Sequence, residues 1–258
     1  MNNILIKVEN LVKTFGGLVA LNDCSLEIKD KAITGIIGPN GSGKTTLFNV
    51  ITGNLKPDTG KVFYNGVEIT NEESHNLFHL GVLRTFQIAH EFSNMTVIEN
   101  LMVVPGNQKG EKLLYSLINS QKIKKEDELI KDKAMEVLKF LKIEHLKNER
   151  AGNLSGGQKK LLELARTMMV DAKIVFLDEV GAGVNKTLLR DISDSILKLN
   201  QDKGYTFCMI EHDFNFISEV CDPVIVLAEG SVLFKGSAEE VKSNEQVIES
   251  YLGKGLKK

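Results

Sequence analysis

The chain has 258 residues, 42% of them apolar and 26% charged, and a net charge of −2. That is enough chain for one substantial core, or one core with a smaller appended unit, and the composition is that of an ordinary soluble protein. The near-neutral charge excludes a global basic field for nucleic acid, and no apolar run reaches the roughly 18 residues that a membrane helix needs. The start, Met1-Asn2-Asn3-Ile4, lacks the basic and apolar regions of a signal peptide. Cys24, Cys208 and Cys221 are scattered and odd in number. They match neither a disulfide framework nor a metal-ligand spacing, and read as small buried hydrophobes in a reducing compartment.

Short apolar runs open the chain: Ile4–Val8, Leu26–Ile28 and Ile33–Ile37. After the third comes Gly38-Pro39-Asn40-Gly41-Ser42-Gly43-Lys44-Thr45, with the G-x-x-x-x-G-K-[ST] spacing of a phosphate-binding loop. The run Ala32–Ile37 before it reads as a buried strand, and Thr46–Thr52 after it as the opening of a helix. A glycine-rich turn carrying a chance lysine is the competing explanation, and this strand–loop–helix context argues against it. Glycines let backbone N–H groups converge on a phosphate, and the helix N-terminus adds partial positive charge. Lys44 is placed to reach the outer phosphates and the Thr45 hydroxyl to ligate Mg²⁺. Lys56-Pro57-Asp58-Thr59-Gly60 predicts a turn before a strand at Lys61–Tyr64, and Asn65-Gly66 a hairpin turn after it.

From about Val97 to Asn153 the chain is charged and helical, with Ala134, Val137, Leu138 and Leu141 at helical spacing. Lys122–Lys133 mixes both signs, as a solvated helix face does. Leu154-Ser155-Gly156-Gly157-Gln158 follows. Ser155 is a fitting N-cap for a helix through Leu161, Leu162, Ala165 and Met168. Two glycines in a first turn bare the backbone N–H groups for an anion. They cost the helix about 1 kcal/mol each relative to Ala, which argues against a purely structural role.

Beyond this point strands alternate with helices again: Ile174–Leu177, Thr206–Ile210, Val224–Leu227 and Val232–Phe234 are short, β-branched and apolar. The first ends in Asp178-Glu179, which delivers two carboxylates to the strand's C-terminal edge, where α/β proteins bind ligands. Asp178 suits the second shell of Mg²⁺, and Glu179 the polarising of a water for attack on a γ-phosphate. His212, just past a strand in Ile210-Glu211-His212-Asp213, is placed to touch that phosphate. Gln87, in Arg84-Thr85-Phe86-Gln87, offers a neutral amide for Mg²⁺ or the attacking water. Alone, a His or a Gln is more often a structural residue.

In this order the residues resemble the ATP-binding subunits of ABC transporters, over essentially the whole chain. Gly38–Thr45 matches Walker A, Gln87 the Q-loop, Leu154–Gln158 the signature LSGGQ letter for letter, Ile174–Asp178 Walker B and His212 the switch histidine. The resemblance implies an α/β fold: a P-loop NTPase core of ABC type with an N-terminal antiparallel β-subdomain and an inserted α-helical subdomain. Residues 1–258 would form one ATP-binding domain, with 1–96 and 154–258 as its core and 97–153 as the mainly helical insert. ATP and Mg²⁺ are the implied cofactors. Lys44, Gln87, Glu179 and His212 would be catalytic. Gly38, Pro39, Asn40, Gly41, Ser42, Gly43, Lys44, Thr45 and Thr46 would hold the nucleotide, with Phe15 stacking on adenine. Thr45, Gln87 and Asp178 would serve the metal. The family pairs two such subunits head to tail, so Ser155, Gly156, Gly157 and Gln158 would meet ATP bound at the partner's phosphate loop.

A narrower resemblance rests on Phe15-Gly16-Gly17-Leu18, Arg84–Gln87, Met95–Leu101, Ile210–Asp213 and Tyr251-Leu252-Gly253. These look like the larger ATP-binding subunit of the branched-chain amino acid importers, the LivG type; subunits for urea import and lipopolysaccharide export are close relatives. The implied setting is the cytoplasmic face of the inner membrane. The implied partners are transmembrane permease subunits, a second ATP-binding subunit (like or unlike) and, indirectly, a solute-binding protein, with no nucleic acid. A soluble ABC ATPase with another task is the rival reading. The chain departs from the family at Val180 and Lys186, where Pro is usual; each change frees φ and restores an N–H. The basic tail Lys254–Lys258 has the composition of a solvated end.

Overall fold

A computed structural model describes residues 3–85, 91–106, 108 and 120–252. In chain order the elements are β1 (Ile4–Phe15), β2 (Leu18–Lys29), β3 (Ile33–Ile37), α1 (Lys44–Ile51), β4 (Thr59–Tyr64), β5 (Val67–Glu68), α2 (Ser74–His79) and β6 (Val82–Arg84). There follow α3 (Val97–Met102), α4 (Ser120–Phe140), α5 (Gly156–Met168), β7 (Ile174–Asp178) and α6 (Lys186–Lys203). The chain continues through β8 (Thr206–Ile210), α7 (Phe214–Val220), β9 (Val224–Ala228), β10 (Ser231–Gly236), α8 (Ala238–Ser243) and α9 (Glu245–Leu252). Among the described residues no helix is long and apolar enough to cross a membrane. The chain divides into two compact units: Met1–Gln87 with Lys173–Ala182 and Ile196–Lys258, and Ile88–Ala172 with Gly183–Ser195.

The first unit holds two sheets. One is antiparallel, in the order β2-β1-β4-β5. Its strands alternate as a half-buried sheet must: Ile6 faces Ile28 and Val8 faces Leu26 across β1 and β2, all buried. Asn65 and Gly66 close the β4–β5 hairpin, both at positive φ, as the Asn-Gly turn requires. The other sheet runs β10-β9-β3-β8-β7-β6 and is parallel except at β10. Every residue of β3, β7 and β8 is buried, which explains their continuous apolar sequence: parallel strands are covered on both faces.

One apolar cluster joins these layers. Ile6, Val8, Leu26 and Ile28 share it with Ile36, Phe176 and Ile210, and with Leu47, Phe48, Val50 and Ile51 of α1. Phe48 meets Phe176 edge-on, ring centroids 5.0 Å apart. Burial of such a ring stabilises by roughly 1.5–3 kcal/mol and the edge contact adds about 1. The helix behind the phosphate loop is thereby locked to the strand that ends in Asp178.

The second unit is helical among its described residues. Thr96 and Glu99 form a reciprocal capping box at the start of α3. Asn100, fully buried, accepts from Phe92 N–H and donates to the carbonyls of Phe92 and Thr96. Ala134, Val137, Leu138 and Leu141 are all buried, while most of Lys122–Lys133 faces solvent. The three cysteines are free and buried.

Candidate active site

The parallel register brings three chain segments to one sheet edge. Ile36 of β3 lies beside Ile210 of β8, and Ile210 beside Asp178 of β7. The residues just past these positions are the phosphate loop, Glu211-His212 and Glu179. Chemistry-bearing residues 38–45, 178–179 and 212 thus share the C-terminal edge, where helix N-termini and strand ends converge in open α/β sheets.

The loop is built for close backbone approach. Gly43 caps α1 at φ +100°, in the left-handed region, and a Cβ there would lie 2.4 Å from the Ala20 carbonyl. No side chain caps the helix. Lys44 is buried, its Nζ donating to the Gly38 carbonyl at 2.8 Å and the Pro39 carbonyl at 3.1 Å. Ser42 Oγ is buried with no hydrogen-bond partner among the described residues. An uncapped helix start, an orphaned hydroxyl and an ammonium resting on loop carbonyls fit a phosphate chain, which would satisfy all three.

For a metal the fit is of a different kind. Among the described residues no cluster of three His, Cys, Asp or Glu side chains could hold an ion. Thr45 is exposed at the first turn of α1. That donor set suits Mg²⁺, which keeps waters and phosphate oxygens and takes few protein ligands. Asp178 is buried and accepts from Arg84 Nη2 through Oδ2 at 2.7 Å. Gln87 lies outside the described residues.

Glu179 leaves β7 with φ +51°, uncommon for a residue with a long side chain, and its N–H donates to the Ile210 carbonyl at 2.9 Å. Such strain, of order 1 kcal/mol or more, persists where the surroundings over-determine it. Its Oε1 lies 3.0 Å from His212 Nε2. An ionised carboxylate only accepts, so the ring nitrogen carries the proton. The His212 side chain is half exposed and that of Glu179 mostly covered. The pair is a carboxylate held in a fixed direction by an imidazole, with the imidazole open to an incoming group.

Phe15 ends β1 with 47% exposure, beside exposed Leu18 and Val19. Lys13 Nζ lies over the ring, 5.7 Å from its centroid. In the second unit Ser155 caps α5: its Oγ accepts from Gln158 N–H, and Gln158 Oε1 accepts from Ser155 N–H at 2.9 Å. Gln158 is thus tied to the cap. The two signature glycines differ. A Cβ on Gly157 would lie 2.1 Å from Leu188 Cδ2, whereas one on Gly156 would meet nothing within 4 Å among the described residues.

Sequence reasoning missed two residues that organise the site. Arg84 links Asp178 to Asn49 of α1, and Glu211, buried, accepts from Gly181 N–H at 2.8 Å and so pins the loop after Glu179. The available signals were a lone arginine closing the apolar run Val82-Leu83 and a glutamate following the apolar run of β8.

Comparisons with known proteins agree with this geometry. The ABC transporter family model matches residues 21–182, and a model described as the branched-chain amino acid ATP-binding cassette transporter matches residues 231–257. The chain is 42% identical over 249 residues to a probable branched-chain amino acid transport ATP-binding protein LivG of Archaeoglobus fulgidus, covering 96% of this chain and 95% of that protein. A nucleotide-free ATP-binding cassette from an ABC transporter superposes with TM-score 0.82 at 41% identity, over 96% of this chain and 98% of the other. A dimeric ATP-binding cassette in a post-hydrolysis state with ADP and Pi has TM-score 0.74 at 25% identity, over 91% and 99%. By the family model over more than half of its length and by that near end-to-end similarity, this chain belongs to the ABC transporter family, as one of its ATP-binding, ATP-hydrolysing subunits.

Proposed function

We propose that this subunit powers import of branched-chain or other small amino acids, from the cytoplasmic face of the membrane. Subunits of its family dimerise and work with transmembrane permeases. The observation that carries the amino-acid reading is the match of residues 231–257 to the branched-chain amino acid model, in a chain that aligns end to end with a protein named for that transport. A solute-binding protein on the far side of the membrane completes the system.

In the reading we favour, the core 1–96 and 154–258 works on nucleotide, and 97–153 with the Gln87 segment contacts a permease helix. The Gly38–Thr46 backbone, the Ser42 hydroxyl and Lys44 hold the phosphates, and Phe15 stacks on adenine. Thr45, Gln87 and Asp178 are the residues to hold Mg²⁺, which when bound supplies charge neutralisation at the outer phosphates. Glu179 accepts the proton of the attacking water, and His212 keeps that carboxylate aimed while touching the γ-phosphate. Ser155, Gly156 and Gly157 close on nucleotide held by the second subunit, with Gln158 securing the cap. Loss of the γ-phosphate then removes a contact that only the closed pair makes.

The test is uptake. Cells lacking this subunit should lose uptake of radiolabelled leucine, isoleucine and valine, and wild type but not Lys44→Ala should restore it. Unchanged uptake of all three, with the tagged protein recovered from membranes beside soluble partners alone, would end the transport reading.

A further inference from the structure

One charge that the fold covers beside the nucleotide site has no part yet in the chemistry: Arg84. Its side chain is 8% exposed and that of Asp178 5%. One terminal nitrogen, Nη2, donates to Asp178 Oδ2 at 2.7 Å; the other, Nη1, donates to Asn49 Oδ1. The guanidinium also stands 5.8 Å from the Phe48 ring centroid. One planar fork therefore joins β6, the end of β7 and the middle of α1. These are the elements that lead to Gln87, carry Asp178, and carry Lys44 with Thr45.

Energy of folding is a poor reason for this arrangement, because a buried ion pair is often no more stabilising than apolar residues of the same volume. A directional reason is better. The guanidinium presents its donors at fixed angles, so it selects one orientation of a carboxylate, which a lysine ammonium does not. With Oδ2 taken by Arg84, the oxygen left for other work is Oδ1.

We propose that Arg84 is a positioning residue for the metal side of the site: it fixes Asp178 against α1, so that the carboxylate offers a single oriented oxygen to an ion bound with the phosphates. This rests on the reading of Asp178 given above. Outer partners of this kind are worth about 10- to 100-fold in metal affinity when altered.

The experiment is equilibrium binding of a fluorescent ATP analogue to the purified subunit, with Mg²⁺ and with excess chelator. Arg84→Lys keeps the charge and loses the fork. We expect its chelator affinity within about twofold of wild type and its Mg²⁺ half-saturation raised about tenfold. Asn49→Ala, which releases only the α1 arm, should shift Mg²⁺ half-saturation in the same direction by less, and serves if the lysine variant does not fold. Asp178→Asn is the reference. If it leaves Mg²⁺ dependence unchanged, the reading of Asp178 fails and the role of Arg84 with it. If it shifts Mg²⁺ dependence while neither Arg84→Lys nor Asn49→Ala does, Asp178 stands and the positioning role is overturned. Equal losses with and without Mg²⁺ would likewise reduce Arg84 to a structural residue.

Discussion

Single residues here are arranged around one carboxylate. Glu179 sits at φ +51° with His212 Nε2 3.0 Å from its Oε1, while Glu211 secures Gly181 two positions on. Replacing Glu179 by Gln keeps the shape and removes the proton acceptor. We expect Glu179→Gln to lower ATP turnover by about 10²–10⁴-fold with nucleotide affinity little changed, the usual reach of general-base catalysis. Steady-state phosphate release beside a binding titration checks this, and near wild-type turnover would remove Glu179 from the role. His212→Ala should reduce turnover less, since it takes away the aim of the carboxylate and leaves the acceptor. The Val180 departure looks milder in this setting. The N–H that proline would have lacked precedes a residue whose own N–H is already held by Glu211, so the loop has a tether that does not depend on proline.

Among elements, α5 separates packing from function. Gly157 is required by Leu188, within the same unit. No described residue requires Gly156: its Cβ position is open. Gly156→Ala should therefore leave the melting temperature unchanged or raise it, as Ala gains up to about 1 kcal/mol over Gly in a helix. The same variant should lose ATPase activity if the bare backbone must approach nucleotide across a dimer; full activity would make Gly156 dispensable. The Asp58 corner gives a pH test. Its carboxylate accepts from Lys13 Nζ, Thr14 Oγ1 and Thr14 N–H, all at 2.7 Å, and the Lys13 bond, with those from Thr14, lowers its pKa from 3.8 to about 2. A depressed carboxylate pKa adds stability above the unfolded value and loses it as pH falls through the folded one. Asp58→Ala should melt earlier than wild type at pH 7, and the gap should close between pH 4 and 2; a gap constant with pH would count against the tether. Elements like these are legible beforehand because their signals are local: a loop spacing, a cap, an Asn-Gly turn, a run of β-branched residues. Arg84 with Asp178 and Asn49 was not, because the partners stand 94 and 35 positions away. Nor was the grouping of 183–195 with 88–172, since a unit made of separated segments leaves no mark at either boundary.

At the scale of the whole molecule, the groups expected to act on one nucleotide fall on two units, with Lys44, Asp178, Glu179 and His212 in one and Ser155 to Gly157 in the other. A head-to-tail pair would lend each site the signature of the other chain, and closure and γ-phosphate retention would then be one equilibrium. A ligand shifts such an equilibrium only by its differential affinity for the closed form. ATP would bridge two chains through its γ-phosphate and ADP would not. Blocking hydrolysis while keeping the phosphate cradle should then trap the closed pair. Glu179→Gln with MgATP is expected to run as a dimer in size-exclusion chromatography and to return to monomer with MgADP or without nucleotide. Adding Gly156→Ala should weaken the trapped dimer while leaving nucleotide binding to the monomer intact, because it alters the lending surface and not the phosphate loop. A dimer that forms equally with ADP, or that ignores Gly156→Ala, would place the contact elsewhere and leave hydrolysis uncoupled from assembly.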